Sequence, residues 1–288
     1  MKDRLCFIIS MLIFGSIGII VRGIALSSAQ IALIRGVIGS VFLIIAGLIM
    51  KKKPSTEAIR RNFIYLLLSG AALGFNWILL FEAYRNTSIT NATFTYYLAP
   101  VIVVFLSPFI FRERLNLKKI IPIIFAVIGM LLLVLTCGEK NTYGNGLLGI
   151  GFGLGAALLY AMVIILNKLI KGLRGIETTI IQLTMASLVL APYVILRGSF
   201  ELSVLGAGDM ILLILVGLLN TGLAYLLYFS SIQKLESQTV AILSYIDPVS
   251  AVLMSGILLG EKITAIQLVG GILILGGTFM SGRDRKKI

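Results

Sequence analysis

Runs of about twenty apolar residues recur along the whole chain, and no other feature limits its possible folds so severely. A helix rising 1.5 Å per residue needs roughly that length to cross ~30 Å of hydrocarbon. Ten such spans are legible, at 5–25, 29–50, 62–84, 89–111, 117–136, 146–168, 177–197, 209–231, 237–259 and 265–281. Only 13% of the residues are charged and 58% are hydrophobic, against roughly a quarter charged in soluble domains. The expected fold class is therefore an all-α polytopic membrane protein with ten transmembrane helices. Its links are too short to hold a separate catalytic or nucleic-acid-binding domain. Lys2 and Arg4 ahead of the first span imitate a signal peptide, but no small-residue cleavage site follows and nine similar spans do, so a retained helix is expected.

The net charge of +13 invites a nucleic-acid reading until its distribution is followed. With the N-terminus inside, nineteen Lys and Arg fall on cytoplasmic links or span ends, five on the opposite side (Arg22, Arg85, Lys140, Arg197, Lys262), and Arg35 alone lies within a span. That asymmetry places both termini in the cytoplasm of a multi-pass, plasma-membrane protein of bacterial type. The basicity orients the chain toward anionic lipid, and nucleic acid is not expected as a partner. Histidine is absent, so acid–base work falls to carboxylates, and no cofactor or metal site is expected. Cys6 and Cys137 lie at opposite ends of their spans and cannot pair.

An internal repeat fixes the architecture further. "YYLAPVIVVFLSPFIFRERL" (96–115) and "SYIDPVSAVLMSGILLGEKI" (244–263) align without gaps at an offset of 148, matching Tyr97, Pro100 and Glu113 with Tyr245, Pro248 and Glu261. The same offset pairs Gly74 with Gly222, Trp77 with Tyr225, Phe81 with Phe229 and Gly129 with Gly277. Five helices per half is an odd number, so equivalent helices cross in opposite directions. Two inverted-topology repeats result, 1–140 and 141–288. Such pairs characterise secondary transporters with a site near the midplane.

These blocks, with the "FGS" of Phe14 to Ser16 and the "LIR" ending in Arg35, resemble the EamA transporters of the drug/metabolite transporter superfamily. The resemblance covers nearly the whole chain and implies a ten-helix carrier of small metabolites, often an exporter of amino acids or related compounds.

Candidate functional residues follow from depth. Pro100 and Pro248 fall near the midplane, where each frees a carbonyl one turn earlier, at Tyr96 and Ser244. They read as structural kinks, as hinges, or as both. Asp247 is the acid near the middle of a span. Its burial there costs about 2.5–3.5 kcal/mol, and protonation is an escape of comparable cost. An ion facing a polar cavity, a proton carrier and a structural hydrogen-bonding group all stay open for it. Its repeat counterpart is Ala99, so the site is asymmetric, which suits a substrate with one distinct polar end.

Arg35 and Glu82 lie at similar depth near the outer side, where a gating pair or independent snorkelling is expected. Glu113 and Glu261, beside basic residues at helix ends, read as interfacial. Asn76, Trp77, Tyr84, Thr93, Tyr97, Thr221, Tyr225, Tyr228, Ser244 and Tyr245 recur at helical spacing, as a cavity lining or as packing. Repeat symmetry favours Trp77, Tyr97, Tyr225 and Tyr245 as substrate contacts, with Asn76 and Thr93 beside them and Tyr160, Asn167, Gln182 and Asn220 behind. "GIGFGLGAA" (149–157) imitates a phosphate loop, but it lies inside a span, where small residues four apart serve close helix contact.

The expected function is export of a small metabolite, an amino acid or analogue, by alternating access, with protons a candidate coupling ion and oligomeric state left open. Its rivals are proton-coupled efflux of cationic or lipophilic drugs, in which Asp247 is the counter-ion, and a scaffold without a pathway, which requires a closed, apolar centre. An enzyme is not expected, since histidine and paired midplane carboxylates are both missing.

Overall fold

The computed structural model describes residues 2–50, 55–111, 117–135, 145–196, 206–232, 234–235, 239–240 and 243–283. These are helical throughout apart from short turns, with no strand among them. The helices are α1 (Lys2–Gly15), α2 (Ile17–Arg22), α3 (Ser28–Ile49), α4 (Thr56–Arg61), α5 (Phe63–Asn86), α6 (Ile89–Tyr96), α7 (Ala99–Phe111), α8 (Leu117–Leu135), α9 (Gly146–Leu169), α10 (Gly175–Leu196), α11 (Ala207–Leu215), α12 (Ala224–Ile232), α13 (Ile246–Leu259) and α14 (Ala265–Arg283). A π-helical stretch, Val216–Leu223, joins α11 to α12. Among the described residues seven segments are long and apolar enough to cross a bilayer, and three shorter apolar helices accompany them, Ile120–Leu135, Ile246–Leu259 and Ala265–Gly277. Glu113 and Cys137, assigned above to an interface and to an unpaired thiol, lie outside the described residues.

Local chemistry sets where several of these helices start. Ser27 and Gln30 form a reciprocal capping box at the head of α3, and Ser88 Oγ accepts from the Asn91 backbone N–H at the head of α6. Proline sets the breaks inside spans. α6 stops at Tyr96 and α7 resumes at Ala99, one residue before Pro100, while a turn at Ser244–Tyr245 precedes α13 and Pro248. The two interruptions fall within one residue of equivalent positions of the repeat.

Exchanging the sequence halves maps the main contacts onto themselves. α9 packs on α5 and on α6–α7; correspondingly, α1 packs on α12 and on α13. α10 packs on α5 as α3 packs on the π-helical stretch, and the pairs α3 with α10, α8 with α14 and α6 with α13 are each their own image. The halves interleave as a result, and the two bundles facing one another each mix helices from both. Close approach is decided by small residues: a Cβ on Gly15 would strike Ser250 Oγ and the Asp247 carbonyl of α13, while Gly149 and Gly153 bring α9 against Thr87 and Thr95. The glycine-rich 149–157 segment is thus a packing face.

One end of the molecule is tied by a buried clasp. Arg22 donates from Nε to the Tyr84 carbonyl at 2.6 Å, from Nη1 to Glu261 Oε1 at 2.5 Å, and from Nη2 to the Thr87 carbonyl. Glu261 Oε1 also accepts the Ile89 N–H at 2.9 Å, so its charge sits at the amino end of α6, where the helix dipole favours it. Gly260, at φ +65°, takes the left-handed turn that ends α13 and sends Glu261 into this position. The interfacial reading of Glu261 is therefore corrected: its side chain is 3% exposed, because the neighbouring helix amino end supplies the donors that a surface would otherwise have to provide. A second ion pair, Lys234–Asp3 at 3.1 Å, is 65% and 41% exposed.

The two pairs differ in worth. Removing one partner of a buried pair costs about 3–5 kcal/mol, whereas an exposed pair contributes about 0–1 kcal/mol. Glu261→Ala is expected to lower the melting temperature in detergent by many degrees and Lys234→Ala to leave it nearly unchanged, as read by a thermal-shift assay on the purified protein.

Candidate functional site

A cavity of about 590 Å³ opens between the interleaved bundles, walled mainly by α1, α3, α5, α6, α9, α10, α12 and α13. That volume is in the range of small-molecule sites. Asp247, on the first turn of α13, faces it. Tyr97, in the break between α6 and α7, donates its hydroxyl hydrogen to Asp247 Oδ2 at 2.6 Å. This bond joins the two interrupted helices across the cavity. A carboxylate on the first turn of a helix also gains from the dipole and from the unsatisfied N–H groups there.

Arg35 lies on the wall opposite in chemistry. It is 4% exposed, its guanidinium carbon rests 4.3 Å from the centre of the Trp77 ring, and Nε donates to Thr221 Oγ1 at 2.8 Å. Thr221 belongs to the π-helical stretch and donates in turn to the Val216 carbonyl, five residues back, at 3.0 Å. The widened turn sets the hydroxyl toward Arg35. Isolated π turns recur at functional sites.

Of the residues expected to contact substrate, Trp77, Thr93, Tyr97, Tyr225, Tyr245 and Asp247 line the cavity, as does Pro100. Pro248 is buried on the first turn of α13 outside the lining. Asn76 is brought elsewhere: it is fully buried and donates to the Ala156 carbonyl at 2.6 Å, fastening α5 to α9. Of the two readings left open for Arg35 and Glu82, the ion pair is not formed. Similar depth does not imply the same face, and Arg35 turns inward to Thr221 and Trp77 while Glu82 is not part of the lining.

Tyr84, Tyr160, Asn167, Gln182, Tyr228 and Ser244 also line the cavity. Asn167 Oδ1 and Ser69 Oγ both accept from Gln182 Nε2, at 2.5 and 2.7 Å. Asn220 bonds instead to the Ile13 carbonyl and Ser16 Oγ at the α1–α2 break. Tyr96, stacked on Tyr160 at 5.3 Å, and Thr179 join the lining without having been anticipated. For Tyr96 the adjacent Tyr–Tyr step before a midplane proline was the available signal. For Thr179, near the start of α10, there was none.

Two interrupted helices that meet across a charged cavity between interleaved bundles have a recognisable counterpart. The model of the EamA-like transporter family matches residues 3–135 and again 147–283. The chain belongs to the EamA-like transporter family. An uncharacterised transporter of Bacillus subtilis, YxxF, is 31% identical over 270 residues, covering 94% of this chain and 86% of that one. A probable amino-acid metabolite efflux pump of Salmonella typhimurium is 27% identical over 187 residues, 61% of each chain. A crystal structure at 17% identity superposes with a TM-score of 0.65 over 97% of this chain and 98% of that chain, a likeness of fold. The protein is a multi-pass membrane transporter by family.

The wall assignments have a direct chemical check. In a variant lacking Cys6 and Cys137, Ser244→Cys and Thr179→Cys are expected to react with a small water-soluble thiosulfonate, and Asn76→Cys to resist it under the same conditions.

Proposed function

We propose that the protein is a secondary carrier that exports small amine-bearing metabolites, amino acids or their analogues, through alternating access at a midplane site. The observation that carries this is the Tyr97–Asp247 bond, which places a carboxylate and a phenol inside a cavity bounded by both repeats. An ammonium group entering there replaces the phenol's proton as the partner of Asp247, in a setting where charge-assisted bonds are strong. Aromatic walls suit an apolar side chain. The relationship to a probable amino-acid metabolite efflux pump points the same way. A polar cavity around residue 247 is also the opposite of the closed, apolar centre that a scaffold requires.

In this reading ten helices form two inverted repeats, 1–140 and 141–288, in a bacterial plasma membrane with both termini cytoplasmic. The moving bodies are the interleaved bundles, α1 with α12–α13 and α9 with α5–α7, and Pro100 and Pro248 are the bends about which they pivot. The clasp of Arg22 and Glu261 joins the first bundle to the ends of α5 and α6 in the second. With the termini inside, the clasp holds the outer face shut while the cavity reaches toward Asn167 and Tyr228 on the inner side. Efflux of net cations is less well served, because Arg35 opposes a second positive charge in the same space.

Transport into proteoliposomes tests the role of Asp247. A carboxylate must be ionised to hold an ammonium, so uptake by the wild-type protein falls as the pH drops through the titration of this group. Asp247→Asn is expected to reduce transport at least tenfold and to abolish that pH dependence; unchanged transport with an unchanged profile would make Asp247 structural.

A further inference from the structure

The buried guanidinium of Arg35 is only partly used by the protein. Its Nε is taken by Thr221 and one face by Trp77, with the Phe81 ring centre 5.6 Å away. Among the described residues nothing accepts from Nη1 or Nη2, and the Asp247 carboxylate is engaged by Tyr97 rather than by Arg35. A guanidinium is a planar fork of five donors that never loses its charge under ordinary conditions. Holding one in a membrane interior with its terminal donors unpaired is costly, and such residues face a pathway.

Two features fix the fork's orientation without satisfying it. The Trp77 ring supports its plane, the π-helical turn supplies Thr221 to one edge, and a wall of the cavity is left for the other. The remaining edge matches the two oxygens of a carboxylate. Nor does the repeat account for the residue: at the offset of 148 Arg35 corresponds to Leu183, as Asp247 corresponds to Ala99. The cavity therefore carries one cation from the first half and one anion from the second, neither with a charged counterpart in the other repeat.

We propose that Arg35, steadied by Trp77 and Thr221, is the carboxylate subsite of the transport cavity, so that the carrier selects zwitterions bearing both an amine and a carboxylate over simple organic amines. This rests on the carrier reading above and narrows its substrate class.

Trp77 is the chain's single tryptophan, which makes the fluorescence of the purified protein a reporter placed at the subsite. L-Phenylalanine, phenethylamine, which lacks the carboxylate, and hydrocinnamate, which lacks the amine, are titrated against wild-type protein, Arg35→Gln and Arg35→Lys, with binding also followed by calorimetry. Phenylalanine is expected to bind the wild-type protein at least tenfold more tightly than either analogue. Arg35→Gln is expected to erase the advantage over phenethylamine, weakening phenylalanine at least tenfold while phenethylamine, relieved of a like charge, binds as tightly or more so, and Arg35→Lys to restore part of the advantage. Because the wild-type ligand series stands alone, misfolding of a variant does not remove the test. Phenethylamine binding as tightly as phenylalanine, or an advantage that survives in folded Arg35→Gln, overturns the carboxylate subsite while the amine-carrier reading stands. No response of the wild-type protein to any of the three ligands overturns both.

Discussion

Hydrocarbon offers a backbone no hydrogen-bonding partner, and the architecture follows from that. A chain in such a solvent must stay helical wherever it meets lipid, and it departs from the helix only where protein or a polar cavity receives the freed groups. The interruptions at Tyr97–Leu98 and Ser244–Tyr245 are two of the places where it departs, and both border one cavity. Proline at 100 and 248 follows each departure on the first turn of the resumed helix, where its missing N–H is tolerated, and the repeat puts the two at equivalent places. The Tyr97–Asp247 bond then closes the gap between them.

Interleaving carries that local feature across the molecule. Since α1 rests on α12 and α13 while α9 rests on α5, α6 and α7, each bundle contains a broken helix, and the cavity lies where the bundles face. The clasp of Arg22, Glu261 and the backbone at residues 84, 87 and 89 joins the bundles at one end. It is strong because the ion pair is buried and every oxygen finds a donor, the condition under which a buried pair repays its desolvation.

Much of this was legible in the sequence. Hydropathy gives span limits within about two residues of the observed helices for most spans, such as 29–50 against Ser28–Ile49 and 146–168 against Gly146–Leu169, because length and apolarity are imposed by the bilayer itself. Asp247 and the two prolines stood out because each contradicts its surroundings. What stayed hidden depends on rotation and on partners far away in sequence. Depth along the chain placed Arg35 beside Glu82, but the face it presents is set by contact with a π-helical turn 186 residues away, and π geometry has no sequence signature comparable to a cap. Glu261 looked like a surface residue because its burial depends on the amino end of α6, 172 residues distant. Asn76 shares the polarity of a cavity residue, yet its amide is spent on the α9 backbone.

Alternating access is tested most directly by distances measured at both ends of the same molecule. Spin labels at Leu147 and Lys262 report the end held by the clasp, and labels at Arg4 and Lys171 report the other; all four positions are exposed. Pulsed electron paramagnetic resonance in lipid nanodiscs should show the first distance lengthening and the second shortening together as substrate is added. Distances that stay fixed at both ends, or ends that open and close independently, would contradict a carrier that works by exposing one site to each side in turn.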